Sequence, residues 1–262
     1  MRIFLILLTA LLIMTNFTNR EKSILVGLYF SKFDLEGLSQ LGFGRFTEAF
    51  NVIGFALGVK PRSIKNYRDE FDHLFPNNRL GWHKRPMRAY CEIIYKNFAE
   101  LSLSSFTQLI KKITYKEYDI DVLMEKVDVS YEDESGAFAK RLMTGQAAEQ
   151  YFLDEFKSIL DFNGFEIKNT TKLGCGFDFK LFTNDIFYAV EVKGLNDTHG
   201  NVTLTEKEHT VASILKERYF LFVVRNFKED PIHDIYKNPL NSHLNFNLIE
   251  QKITQLNWTT KV

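Results

Sequence analysis

The spacing of apolar residues predicts that the N-terminal half of the chain is helical. Between Glu21 and Leu57 apolar residues recur every three or four positions, which fits two helices. The glycine-containing segments Phe33 to Gly37 and Leu41 to Gly44 are predicted to connect them, because glycine permits turns that other residues resist. The same periodicity continues from Lys96 to Val127. We therefore expect residues 15–127 to form a helical domain.

One segment within this half, Ala56 to Phe71, has the pattern of two helices joined by a turn. Gly58 can end the first helix in a left-handed conformation, and Pro61 suits the first turn of the second. The predicted inner stripe comprises Val59, Ile64, Tyr67 and Phe71. The pattern resembles the helix-turn-helix of DNA-binding proteins, whose second helix enters the major groove. An ordinary helical hairpin with a solvated basic face is the alternative.

Local charge favours a nucleic-acid surface in the same region. The whole chain has 33 Lys and Arg against 33 Asp and Glu, so its overall balance indicates no polyanionic partner. The segment from Lys60 to Lys96, however, contains nine basic residues and four acidic ones. The predicted DNA contacts are Lys60, Arg62, Lys65 and Arg68, which are expected to lie towards solvent, and Arg79, Lys84 and Arg85 of a candidate recognition loop.

The C-terminal half has a different pattern, in which a helix precedes strands. Ala137 to Phe162 has helical periodicity, and Asn163-Gly164 is a turn signal before the alternating strand Phe165 to Lys168. Two further apolar runs flank the polar turn Thr183 to Asp185, which predicts a hairpin. An acidic stretch at residues 128–136 is the predicted linker, so residues 137–262 form the second domain. The fold class is α/β (α+β), with an N-terminal helical domain and a C-terminal mixed sheet flanked by helices.

The hairpin brings three chemically useful side chains together. Strand side chains alternate between faces, so Glu191 and Lys193 point the same way while Val190 and Val192 point into the core. Asp178 on the partner strand is expected opposite residues 190–191. Two carboxylates can coordinate Mg²⁺ through oxygen, and a lysine can hold water or offset charge on a phosphate. Such alternation is also frequent on exposed strand edges, so the three residues alone carry little weight.

Asp178 followed by Glu191-Val192-Lys193 resembles the PD-(D/E)XK motif of restriction-type nucleases. Phe177 stands where that motif has proline. The chain from about residue 140 to 230 is similar to the domain at the C-terminus of the plant NO VEIN protein, on Gly176-Phe177-Asp178, the Glu191 to Gly194 strand end and Leu204 to Glu208. In that resemblance Glu149 matches a glutamate of an upstream helix and serves as an auxiliary ligand. Glu208 matches an acidic position at the start of the next helix, and its spacing from Thr205 also predicts a capping box.

The resemblance implies an enzyme. It implies a Mg²⁺-dependent DNA endonuclease of restriction type, type II or modification-dependent, in which Mn²⁺ can substitute and Asp178, Glu191 and Lys193 are catalytic. Asp178 and Glu191 would hold the metal. The implied partners are double-stranded DNA, a second copy of the chain in a homodimer, and a companion DNA methyltransferase. The alternative is a catalytically inactive DNA-binding or regulatory protein that keeps the nuclease-like fold.

The first fourteen residues leave two interpretations open. Ile3 to Ile13 is an apolar run that resembles a signal peptide, which would make the protein secreted or anchored. The run is short for a transmembrane helix, which needs about 20 apolar residues. Alternatively Met14 is the start, and residues 1–14 are a mis-assigned leader. Cys91 and Cys175 lie far apart without a CxxC neighbour, so a cytoplasmic protein with reduced thiols is the expectation.

Overall fold

The computed structural model describes residues 17–82, 84–114, 132–250 and 260, with the backbone alone for residues 132–135. The predicted leader at residues 1–14 lies outside these ranges, as do residues 128–131 of the predicted linker. None of the helices described is long and apolar enough to cross a membrane. Both cysteines are free thiols.

The N-terminal half is helical, as its periodicity predicted. Its five helices within the described residues are α1 Asn19–Gln40, α2 Phe46–Ala56, α3 Pro61–Phe71, α4 Ala89–Phe98 and α5 Leu103–Thr114. The loop predicted at Phe33 to Gly37 is reduced to a kink. Asp34 alone leaves helical geometry, with a φ of 46°, and joins two helical segments that together reach Gln40. The connection to α2 is therefore confined to residues 41–45.

The predicted turn between α2 and α3 is confirmed in its local geometry. Gly58 has a φ of +64° and Pro61 occupies the first turn of α3. A Cβ on Gly54 would approach the Pro61 backbone to 2.9 Å, so the start of α3 crosses α2 closely. The apolar face of α3, with Ile64 and Phe71 fully buried, packs against α1 and α2.

The C-terminal half is a five-stranded mixed sheet flanked by two helices, which confirms the predicted fold class. In chain order its elements are α6 Glu132–Glu155, β1 Glu166–Asn169, β2 Phe179–Phe182, β3 Phe187–Gly194, α7 Glu206–Leu215, β4 Tyr219–Arg225 and β5 Ile232–Lys237. The strands lie in sequential order, and β3–β4 is the parallel pair, joined through α7. Strand β5 was not predicted. Helix α6 starts earlier than expected, at Glu132, and is followed by short 3₁₀ turns at Phe156–Ser158 and Leu160–Phe162.

The sheet has a helix on each face. On one face the side chains of Val190, Val192 and Phe222 join a core that includes Phe152 of α6. On the other, Ala189 packs in a smaller cluster with Ala212 of α7 and Tyr219. The alternation predicted for β3 is therefore correct, with one set of side chains in the main core and the other beneath α7.

Helix α6 also packs against the N-terminal half. The large hydrophobic core is continuous through both halves, and α2 lies against α6. At this contact the Lys140 ammonium lies 2.6 Å from Oε1 of Glu48, whose side chain is buried. The Asn51 amide donates to the carbonyl oxygens of Phe227 and Glu229, at 2.9 and 2.8 Å. Buried polar contacts of this kind fix how the helical half is placed on the sheet.

Candidate active site

The register of β2 and β3 places Asp178 beside Glu191. Phe179 pairs with Val190, and the Asp178 N–H donates to the Val190 carbonyl at 3.0 Å, so Asp178 continues the ladder by one residue. The Val192 N–H in turn donates to Oδ2 of Asp178 at 2.9 Å. Backbone hydrogen bonds on both sides thus hold this carboxylate at the end of the hairpin, at the position that the sequence predicted.

The loop before Asp178 is held by its glycine. Gly176 has a φ of +87°, which favours glycine, and a Cβ there would come within 2.8 Å of Cγ2 of Val211 on α7. Its carbonyl accepts a hydrogen bond from the Tyr219 hydroxyl at 3.1 Å. The approach of α7 and the buried tyrosine therefore determine where the chain enters β2, and Phe177 packs against the same cluster.

Lys193 lies between two carboxylates. Its ammonium is 2.6 Å from Oε1 of Glu191 and 3.0 Å from Oε2 of Glu208. Glu208 also accepts from the Thr205 N–H at 2.8 Å, and the Glu208 N–H donates to the Thr205 hydroxyl, which confirms the predicted capping box of α7. Glu208 therefore combines a cap with a direct contact to Lys193, a role that the sequence left open.

Burial and mutual repulsion shape the ionisation of this group. The Glu191 side chain is almost fully buried, which raises its pKa, and the neighbouring Asp178 charge raises it further. Burial also raises the pKa of Asp178, against the hydrogen bond from Val192 and the charge of Lys193. For Lys193, burial acts to lower the pKa, but the charges of Glu191 and Glu208 outweigh it and the net shift is upward. The lysine is therefore protonated at neutral pH.

These side chains open onto a cavity of about 360 Å³ at the carboxyl ends of the parallel strands. Glu149 of α6, the glutamate assigned as an auxiliary ligand, also lines this cavity. Several lining residues were not predicted from the sequence. They are Arg141 and Gly145 of α6, and Leu195, Asn201, Val202 and Thr203 of the loop after β3. Arg141 and Gly145 could have been predicted from the sequence, because they precede Glu149 by eight and four positions and so lie on the same face of the helix.

The two buried carboxylates have the chemistry of a divalent-cation site. In the part of the chain that the structure describes, no group of three or more His, Cys, Asp and Glu side chains could hold a metal ion. Mg²⁺, however, is commonly bound through one or two carboxylates while it keeps several waters. Asp178 and Glu191 supply hard oxygen ligands side by side, and a dication would compensate the negative charges that burial disfavours. The residues therefore fit Mg²⁺ or Mn²⁺.

The predicted DNA contacts separate into exposed and ion-paired residues. Lys60, Arg62 and Lys84 are exposed, and Lys65 is exposed but lies 2.6 Å from Asp69. The expectation that Arg68 faces solvent is wrong. It is 8% exposed and packs over the rings of Phe46 and Phe50, with its guanidinium 3.0 Å from Asp69.

Two other arginines of that set contact buried acids. Arg79 donates to both oxygens of Asp72, each at 3.0 Å, and also contacts Asp34. Arg85 donates to both oxygens of Glu70. A second cavity of about 440 Å³ lies beside this region, lined by Gly81, Trp82, Lys84 and Arg85. None of the lining residues that the structure describes there is acidic, so the candidate metal chemistry is assigned to the carboxylates of β2 and β3.

Comparison with known proteins places the C-terminal half in a family. Residues 148–237 match the family model described as Protein NO VEIN, C-terminal. No curated protein and no solved structure matches the chain. The matched range contains Glu149, all five strands and α7, and therefore Asp178, Glu191, Lys193 and Glu208. Residues 148–237 thus match a family of PD-(D/E)XK-like domains, which agrees with the resemblance seen in the sequence.

Proposed function

We propose that the protein is a Mg²⁺-dependent endonuclease that hydrolyses phosphodiester bonds in double-stranded DNA. The observation that carries the proposal is the convergence of the Asp178 and Glu191 carboxylates with the Lys193 ammonium in one cavity. Two carboxylates can hold Mg²⁺ for metal-assisted phosphate hydrolysis, and a lysine beside them can offset the charge on the phosphate.

In this proposal Asp178 and Glu191 hold the metal. When bound, Mg²⁺ supplies polarisation of a phosphoryl oxygen and lowers the pKa of a coordinated water. The Val192 N–H, which donates to Asp178, restricts that carboxylate to one orientation. Oxygen ligands that are fixed before the metal arrives need little rearrangement on binding.

Lys193 acts as a cation rather than as a general base. Its raised pKa keeps the ammonium protonated at neutral pH, so it can donate hydrogen bonds to a water or to the negative charge that develops on the scissile phosphate. Glu208 positions it from the side opposite Glu191. The mechanism thus assigns metal binding to the carboxylates and charge stabilisation to the lysine.

The exposed basic residues of the N-terminal half are proposed to bind DNA. Lys60, Arg62 and Lys65 lie at the start and on the outer surface of α3, and Lys84 lies in the following loop. We propose that the protein is a restriction-type enzyme that acts as a homodimer on DNA sites with two-fold symmetry. A companion DNA methyltransferase is its proposed partner. A basic N-terminal surface is compatible with the neutral net charge because the acidic residues of the site offset it.

A second candidate function is DNA binding without turnover. The observation that favours it is the contact between Lys193 and Glu191, at 2.6 Å with Glu191 only 3% exposed. An ammonium in this position competes with a metal for the same carboxylate. In this alternative the nuclease-like domain serves as a binding module.

Cleavage assays separate the two functions. Plasmid and genomic DNA, methylated and unmethylated, would be incubated with the protein and Mg²⁺ or Mn²⁺, with a chelator as the metal-free control. We expect nicking or cleavage by the wild type that falls at least 100-fold in Asp178→Asn and Lys193→Ala, a loss typical of removing a catalytic group. Asp185→Asn, in the exposed turn between β2 and β3, is the matched control and should retain activity. Absence of cleavage on every DNA would exclude the enzyme and leave the binding module.

A further inference from the structure

Gly145 is a helix-interior glycine that the fold itself does not require. It lies near the middle of α6, and a Cβ at this position would meet no atom within 4 Å beyond its chain neighbours and the helix backbone. Its φ is not positive, so any L-residue could adopt its conformation. Glycine within a helix is less favourable than alanine because it has more conformational freedom to lose on folding. Neither packing nor backbone geometry explains the missing side chain.

A nearby glycine shows the opposite case. A Cβ on Gly194, at the end of β3, would lie 2.8 Å from the Thr144 carbonyl oxygen and 3.1 Å from the Ala148 Cβ. Gly194 is therefore needed for β3 to approach α6. Thr144 and Ala148 form the face of α6 that meets the strand, whereas Gly145 is turned away from that contact.

The space beside Gly145 opens into the cavity that holds the carboxylates. Arg141, Gly145 and Glu149 are spaced by four residues, so they follow one another along one face of α6, and all three line the cavity. The loop residues Asn201 to Thr203 form part of the same lining. A side chain at position 145 would occupy room beside Asp178 and Glu191 that the protein leaves open.

We propose that Arg141 and Gly145 form a binding site for the DNA sugar–phosphate backbone next to the scissile phosphate. Gly145 lets that backbone approach α6 closely, and the exposed guanidinium of Arg141, one turn earlier, binds a flanking phosphate. The inference rests on the proposed function for the nature of the ligand. Both residues precede residue 148, where the match to the family model begins.

Electrostatics supports a cation at this place. The cavity contains four carboxylates, those of Glu149, Asp178, Glu191 and Glu208, and Lys193 is paired with two of them. A polyanion that enters such a cavity needs positive charge beyond a bound metal. Arg141 is the arginine among the lining residues, and its fork of N–H donors matches the geometry of a phosphate.

The test measures DNA binding apart from cleavage. Binding of a fluorescently labelled mixed-sequence duplex would be followed by anisotropy with Ca²⁺ in place of Mg²⁺, and cleavage would be measured separately with Mg²⁺. The variants are Gly145→Ala, Gly145→Leu and Arg141→Gln. Gln150→Leu, a neutral change on the same helix away from the cavity, controls for a bulky side chain. Arg218→Gln, exposed at the opposite end of the parallel strands, controls for the loss of one positive charge.

The expected results separate a binding role from a structural one. Gly145→Ala should raise the melting temperature by about 1–3 °C, because alanine is more favourable than glycine within a helix. The same change should weaken DNA binding, because the added methyl group occupies space at the binding site. Gly145→Leu should weaken binding at least tenfold with its fold intact. Arg141→Gln should reduce the slope of log affinity against log salt by about one phosphate contact, roughly 0.9. Both controls should bind as the wild type does.

Failure of this inference is distinguishable from failure of the endonuclease proposal. If the wild type binds duplex DNA but does not cleave it, the endonuclease proposal is wrong and the affinities of the variants still decide the inference. If Gly145→Leu and Arg141→Gln bind with wild-type affinity, the inference is wrong even where cleavage is observed. A wild type that binds no duplex DNA would overturn the inference whatever the cleavage result.

Discussion

The ammonium of Lys193 lies 3.0 Å from Oε2 of Glu208, and the same oxygen accepts the Thr205 N–H that begins α7. One carboxylate thus joins the end of β3 to the start of the helix that crosses to β4. Because Lys193 also contacts Glu191, the helix cap and the carboxylate pair belong to one hydrogen-bonded network. The stability of α7 and the orientation of the lysine are therefore coupled through Glu208.

Removing the cap alone should differ from removing Glu208. Thr205→Ala deletes the hydroxyl that accepts from the Glu208 N–H, and we expect a loss of about 1 kcal/mol in the free energy of unfolding with little change in cleavage. Glu208→Ala also removes a partner of the partly buried Lys193, so it should cost more stability and lower cleavage more than tenfold. Urea unfolding and cleavage assays measure the two effects. Equal behaviour of the two variants would show that the Lys193 contact contributes nothing.

The metal-free protein should lose stability as the pH rises. Burial raises the pKa values of Asp178 and Glu191 in the folded state, and a neighbouring carboxylate charge adds to each, that of Glu208 for Asp178 and that of Asp178 for Glu191. A carboxyl with a raised folded pKa keeps its proton more readily when folded. Its contribution to the free energy of unfolding is therefore fully present below about pH 4, the pKa of the carboxyl in the unfolded chain. That contribution is lost as the pH rises through the pKa of the carboxyl in the folded protein. In a chelator, the free energy of unfolding should fall from about pH 4 through neutral pH.

Two variants isolate the carboxylates in that experiment. Asp178→Asn removes one charge of the pair, so its stability should depend less on pH and exceed that of the wild type near pH 8. Asp185→Asn, exposed in the β2–β3 turn, should follow the wild type. Addition of Mg²⁺ at pH 8 should stabilise the wild type but not Asp178→Asn. Groups such as Glu70, whose pKa is lowered, act in the opposite direction, so the test is the difference between the two proteins. A stability advantage of Asp178→Asn that does not grow from pH 4 to pH 8 in the chelator would contradict the destabilisation that we infer.

The sequence was sufficient for features that depend on neighbouring residues. The left-handed Gly58, the β2–β3 hairpin and the Thr205 capping box each follow from residues within a few positions of one another. The placement of Asp178 beside Glu191 also followed, because a hairpin turn fixes the register of both strands. Local chemistry and strand alternation thus predicted the centre of the candidate site.

Features that depend on distant contacts were not predictable in this way. Helical spacing assigned Arg68 to solvent, but its side chain lies beneath Phe46 and Phe50, which come from another helix. The pairing of Arg79 with Asp34 joins residues 45 positions apart. The second role of Glu208 depends on where α7 meets β3. Periodicity gives the direction of a side chain on its own element and cannot identify the element that it meets.

Glu70 should be a strong determinant of stability in the helical half. It is 2% exposed, and its carboxylate accepts hydrogen bonds from Arg85 and Arg88. Although burial acts to raise its pKa, these arginines outweigh burial and lower it. Glu70→Ala leaves both guanidiniums without this partner, but they are 40% and 33% exposed and can be hydrated, so we expect a loss of about 1.5–3 kcal/mol in the free energy of unfolding.

An exposed pair provides the control for Glu70. Glu92 and Lys96 form an ion pair on the surface of α4, with both side chains at least half exposed. Glu92→Ala should change the free energy of unfolding by less than about 1 kcal/mol, because solvent screens such pairs. Chemical denaturation of both variants gives the comparison. A loss for Glu70→Ala no larger than that for Glu92→Ala would show that the buried pairing contributes little to stability.

The exposed basic residues should control DNA affinity without affecting the fold. Lys60, Arg62 and Lys84 lie on the surface, so changing all three to Gln should weaken duplex binding and reduce the slope of log affinity against log salt by up to about 2.7, or 0.9 per phosphate contact. Arg79→Gln should instead lower the melting temperature, because Arg79 is paired with the buried Asp72. Binding titrations over a range of salt and thermal unfolding measure the two effects. If the slope of log affinity against log salt is unchanged in the triple variant, Lys60, Arg62 and Lys84 do not contact DNA phosphates. Contact with the duplex would then be assigned to residues around the carboxylate cavity.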